Sequence, residues 1–163
     1  MSIQIQQPVA YDLVGDPILV AGLSVAFEAT VQWELNDGHD ELRGFFTGGG
    51  STSIRQFQTS ITGVAATAMK QPLMFLTLFE ERARDGSRVN EVTVPLIYGP
   101  LLVDGFEGYR THEVQAGDTL SSIAVEAYGD ASLWPRIHTA NQHVVPNPNL
   151  IFVGQQLRVP IGV

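Results

Sequence analysis

Along the first hundred residues the apolar positions recur with a period of two. In "EATVQWEL", Ala29, Val31, Trp33 and Leu35 fall on one side and Thr30, Gln32 and Glu34 on the other, as in a strand with one buried face. The pattern predicts strands over 3–7, 18–25, 30–36, 42–47, 57–61, 73–80 and 91–97. Turn residues separate them about every ten residues, the spacing of a sandwich. Within "NDGHDE" the Asp37-Gly38 pair supplies the positive φ of a tight hairpin, and "GGGSTS" and "RDGSR" are further turns.

From Tyr109 the period changes. "YRTHEVQ" reads as a strand. Thr119, preceded by Asp118, offers a side-chain oxygen to the first amides of a helix. Leu120, Ile123, Ala124 and Tyr128 form one apolar stripe, and Gly129 stops the helix where a left-handed residue is favoured. A second helix starts near Ser132, with Pro135 tolerated in its first turn, a stripe of Leu133, Ile137 and Ala140, and Asn141 at its end. "PNPN" is a rigid turn and "QQLRVP" a last strand. The chain divides into an all-β sandwich over 1–98, a short, partly packed linker over 99–108 ("GPLLVDGFEG") and an α+β unit of order βααβ over 109–163.

The sequence has 163 residues and a formal net charge of −8, with nine basic residues that form no run. Nucleic acid and anionic membrane surfaces need clustered Lys and Arg, so neither is an expected partner. No stretch is long and apolar enough to be expected to insert into a membrane. The opening "MSIQIQQPVAYDLVGDP" lacks a basic segment followed by an apolar one, so the expectation is a protein made soluble in the cytoplasm. Cysteine is absent, which removes disulfides, thiolate chemistry and cysteine-ligated metals.

The segment 109–160 resembles a lysin motif, the LysM domain. The likeness rests on "HEVQAGDTLSSIA", the Tyr128-Gly129 stop, the W-x-x-I-x-x-A-N of 134–141 and "NPNLIFVGQQLRVP". It implies a βααβ fold that binds N-acetylglucosamine-containing glycans such as peptidoglycan. It also implies a groove with Gly117, Asp118, Thr119 and Leu120 on one wall and Asn149, Leu150 and Ile151 on the other. Such a groove suits an N-acetyl sugar: a Gly-Asp-Thr turn exposes backbone for the acetamido group, and Leu120 and Ile151 offer its methyl an apolar floor. The same residues also read as architecture, Asp118 and Thr119 capping the helix and Leu120 and Ile151 filling the core.

The first half resembles the immunoglobulin-like (Gmad-type) domain associated with spore germination, on "IQIQQPVAYDLVGDPILVAGLSVAFEATV" and "DGSRVNEVTVPLIYG". That likeness implies an immunoglobulin-like sandwich serving as a spacer or contact domain. Phe27, Glu28 and Asn90 occupy its most characteristic positions; Phe27 is expected in the core and Asn90 at a turn or edge.

No constellation for a reaction is visible. His39, His112, His138 and His143 form no H-E-x-x-H, and His39, amid Asp37, Asp40 and Glu41, reads as a solvated turn. "TGGGSTS" lacks the lysine of a phosphate loop, and Glu80 and Glu81, adjacent on a strand, are expected to face opposite sides. Trp33 and Trp134 read as core rather than as sugar platforms, although Trp134 lies off its helix's main stripe. Neither catalytic residue, metal nor cofactor is expected. The leading expectation is a non-catalytic glycan-binding adaptor. A second is an adaptor in a phage tail baseplate or contractile injection machine, its lysin motif packed against other subunits. A third is a cytosolic sensor of a small ligand or ion.

Overall fold

The computed structural model describes residues 3–162; residues 1, 2 and 163 lie outside it. Ten strands and two α-helices follow in the order β1 (Ile3–Gln7), β2 (Asp12–Val14), β3 (Ile18–Ser24), β4 (Thr30–Asn36), β5 (Glu41–Thr47), β6 (Arg55–Ile61), β7 (Leu73–Glu81), β8 (Arg88–Tyr98), β9 (Phe106–Glu113), α1 (Leu120–Tyr128), α2 (Trp134–Asn141) and β10 (Gln156–Gly162). A three-stranded sheet β1-β3-β6 faces a five-stranded sheet β2-β8-β7-β4-β5, and β9 pairs with β10.

The period-two pattern works as sequence reasoning expects. In register, Leu35 sits beside Leu42 and Leu76, and Leu76 beside Val94. These inward residues meet Ile3, Ile18, Val20, Phe57 and Ile61 of the opposite sheet in one core. Trp33 is half-buried against that core, lying over Gly44, where an added Cβ would sit 2.5 Å from Cζ2 of the ring. On the outer face Glu34, only 9% exposed, accepts from Arg43 at 3.0 Å and Arg88 at 2.6 Å. Burial raises the Glu34 pKa, but the two guanidinium groups, Arg88 first, outweigh it and hold the carboxyl below its usual range.

Several readings need correction. β2, which pairs in parallel with β8, carries no alternation over three residues and was invisible. Residues 106–108, assigned to the linker, belong to β9 and pair with β10; Leu102 and Val103 before them are buried. Phe27 is not core: it is 69% exposed, and Ala26 at 3% takes the inward place. The cause is backbone, since Glu28 and Ala29 adopt φ of 53° and 54°, so the chain turns before β4 and the alternation cannot extend back through Ala29. Asn90, at φ 56°, makes the expected edge contact by donating to Glu80 Oε1 at 2.8 Å. Glu80 and Glu81 both border a shallow cleft beside Phe27, and they pair in consecutive register with Val89 and Arg88 after the shift between Leu78 and Glu80, so the expected alternation between them stands.

The C-terminal unit packs around Val114, Leu120, Ile123, Ala124, Ile137, Val145, Leu157 and Val159. It does not hang free. Leu102 and Ala140 pack with Ile97 of β8, and Tyr11 and Leu13 flank the contact. Because Ile97 is opposite in parity to the core-facing Leu96, the helical unit rests on the outer face of the five-stranded sheet, at its β2 and β8 end.

Candidate functional site

The first wall of the groove is the β9–α1 turn. Thr119, at the N-cap of α1, accepts from Ser122 N–H at 3.0 Å, and Ser122 Oγ accepts from Thr119 N–H at 2.9 Å, so two orphan amides are satisfied reciprocally. Asp118 closes the turn: its Oδ2 accepts from Gln115 N–H and lies against His112 Nε2, both at 2.8 Å. The Gln115 amide, then His112, hold its carboxyl below the usual range. Gly117 bends the turn at φ 91°, a conformation glycine adopts without strain.

The second wall is the connection from α2 to β10. Asn147 accepts from Asn149 N–H at 3.0 Å, and its carbonyl accepts from Leu150 N–H at 3.0 Å, which fixes "PNPN" as a turn. At their base the walls are tied by main chain: Val114 N–H donates to Gln155 C=O at 2.9 Å, and Gly154 N–H to Val114 C=O at 2.8 Å.

Between them lies a cleft of about 270 Å³ lined by Asp118, Thr119, Leu120, Ser121, Trp134, Pro148, Asn149 and Ile151. Five of the seven residues expected at the groove line it: Asp118, Thr119, Leu120, Asn149 and Ile151. Gly117 and Leu150 sit on the same turns outside the lining, and Leu150, with Phe152 and Val153, is exposed at the rim. Sequence reasoning missed Ser121, Trp134 and Pro148. Trp134 had a signal, its place off the main stripe of α2; it is half-buried against the core, its ring 6.0 Å from that of His138. The architectural readings hold as well: Thr119 caps the helix and Leu120, 3% exposed, belongs to the core.

Chemically the cleft offers a polar turn at one side, Asn149 at the other, and an apolar floor of Leu120, Ile151 and the indole. That is a surface for an uncharged ligand carrying amide and methyl groups. Among the described residues no group of three or more His, Asp or Glu side chains is placed to hold a metal ion. In the hairpin around His39, both Asp37 oxygens accept from backbone, Oδ1 from His39 and Asp40 N–H at 2.9 Å and Oδ2 from Lys70 at 2.8 Å and Gln71 at 3.1 Å.

A sandwich with a seated βααβ unit and a two-walled cleft defines a protein of binding domains, a class that is typically non-catalytic. The chain belongs to the family described as the immunoglobulin-like domain of bacterial spore germination, matched over residues 2–87, and residues 112–160 match the LysM domain. It is 43% identical over 49 residues to the potassium binding protein Kbp of Escherichia coli O6:H1, covering 30% of this chain and 33% of that protein. It is 46% identical over 54 residues to an esterase found in two strains of Mycobacterium tuberculosis, covering 33% of this chain and 11% of the esterase. The likeness thus spans a third or less of each relative's length. No solved structure matches the chain. A LysM domain supports a role in binding glycan, peptidoglycan among them.

Proposed function

We propose that this is a non-catalytic adaptor whose groove takes an N-acetylglucosamine-containing glycan, peptidoglycan being the polymer of choice, while the sandwich spaces the groove or docks another protein. One observation carries the reading: five of the seven expected wall residues line one cleft with an apolar floor and polar groups at its sides. Gly117, Asp118, Thr119, Leu120, Asn149, Leu150 and Ile151 are the proposed contacts, joined by Trp134.

The test is retention on insoluble peptidoglycan. Leu120 is too buried to alter without damaging the core, so the comparison is an Asn149→Ala, Ile151→Asp double variant with an unchanged circular dichroism spectrum. Retention of the parent with a loss of about tenfold or more in the variant supports the groove; one unpaired polar contact and one ruined apolar contact together reach that size. A parent that stays in the supernatant overturns the glycan reading and turns the search to protein neighbours, as in a phage or injection-machine assembly.

The likeness to the E. coli potassium binding protein favours a second reading, an ion sensor. A melting temperature that rises with KCl but not with equal NaCl would support it, since a ligand bound only by the native state raises its stability.

A further inference from the structure

The joint between the two domains ends where the second wall of the groove begins. Arg158 of β10 donates from one guanidinium nitrogen to the carbonyl of Tyr11 in the sandwich, at 2.8 Å, and from another to the carbonyl of Ala140 at the end of α2, at 2.8 Å. The second nitrogen also lies 3.3 Å from both ring nitrogens of His143. The His143 ring stacks on Tyr11, centroids 4.9 Å apart and planes within 6°. Tyr11 is held at φ 64°, a strained value for a residue with a side chain.

From this point a continuous set of hydrogen bonds leads to the groove. Asn141, 1% exposed, bonds the backbone N–H and C=O of Arg158 at 2.8 and 2.7 Å. Its own carbonyl accepts from Val144 and Val145 N–H at 2.9 and 2.8 Å. Gln155 Nε2 donates to Val144 C=O at 3.2 Å, and Gln155 Oε1 accepts from Phe152 N–H at 3.2 Å. Phe152 directly follows Ile151 of the wall.

We propose that Arg158 is a positioning residue through which the sandwich sets the second wall of the groove. A purely local wall would need no contact with Tyr11, and the same guanidinium also grips the carbonyl of Ala140, the residue before the Asn141 that anchors the segment leading to Asn149 and Ile151. The sandwich is then part of the binding device: seating it on Tyr11 narrows the positions open to residues 144–152 before any ligand arrives, so less ordering is left to oppose binding. Its consequence for ligand affinity rests on the glycan reading above; the coupling itself does not.

The experiment uses the full chain, labelled with ¹⁵N, as parent, Arg158→Met, Tyr11→Gly and Tyr11→Phe, with a soluble N-acetylglucosamine tetramer as probe. Tyr11→Gly removes the stacking ring from the other domain while keeping the carbonyl and suiting the positive φ; Tyr11→Phe keeps the ring. Expected are displaced amide resonances of Asn149 and Ile151 in Arg158→Met and Tyr11→Gly without ligand, and tetramer binding weakened about three- to thirty-fold, the range over which remote contacts modulate a site. Tyr11→Phe should match the parent in both. If the Asn149 and Ile151 amides stay in place while those around Tyr11 move, the joint is only a fastening and the proposal falls. Should Arg158→Met not fold, Arg158→Lys, which keeps the charge but cannot reach both carbonyls with a planar fork, takes its place. A parent that fails to bind the tetramer, with wall amides that still move, sinks the glycan reading and upholds the coupling.

Discussion

Asp37 shows what one side chain can hold. It is 7% exposed, and burial raises its pKa, but the four backbone N–H groups that it accepts outweigh this and leave the carboxyl far below its usual range. A folded pKa below the unfolded one adds stability above the unfolded value, lost as pH falls. Asp37→Asn, with one acceptor oxygen in place of two, should therefore lower stability by roughly 2–3 kcal/mol at neutral pH. The gap to the parent should close as pH drops below about 4; denaturant titrations at both pH values check it. Thr119→Ala should cost about 1 kcal/mol through the lost cap, read from the same titrations. Thr119 was legible in sequence because a cap is local chemistry. The exposure of Phe27 was not, because it depends on the positive φ of Glu28 and Ala29, residues that rarely adopt it.

Among the elements, β3 depends on a residue without a side chain. A Cβ on Gly22 would collide with the carbonyl oxygen of Gln4 on β1 and press on Phe57. Gly22→Ala is expected to cost about 2–3 kcal/mol, as overpacking does, and to speed amide exchange in β1 more than in β7; equal exchange in both strands would count against it. Strands with strong alternation, β4 above all, were readable to the residue. β2 was not, since a three-residue strand whose partner lies more than eighty positions later leaves no periodic trace. The groove followed the same rule: Asp118, Thr119 and Asn149 were legible within the two turns, although Pro148 beside them was missed, while Ser121 reaches the cleft through helix packing and Trp134 left only its place off the stripe of α2 as a trace.

At the level of the whole molecule, the domain joint carries a pH dependence. Burial first, and then the Arg158 charge, hold the His143 imidazole below its ordinary pKa. Around it stand the Tyr11 ring and Arg158, and Arg158 in turn faces Asp12 from β2 and Tyr109 from β9. The docked state thus prefers neutral His143, so its contribution is complete above the ordinary histidine value and is lost as pH falls below about 6.5. The parent should lose stability on acidification more steeply than His143→Gln; parallel melting curves between about pH 5 and 7.5 would show that the joint ignores this proton.

The acceptors that Arg158 engages on either side of the joint, Tyr11 and Ala140, are both main-chain carbonyls, and every residue type supplies one. At these two points the arginine reads backbone and not side chains, while the Tyr11 ring on His143 and the apolar contact of Ile97, Leu102 and Ala140 supply the side-chain part of the seat. Half of the seat is therefore portable: grafted onto this sandwich and linker, a different lysin motif with arginine at that strand position would find both carbonyls waiting, and one without it would seat on the apolar contact alone.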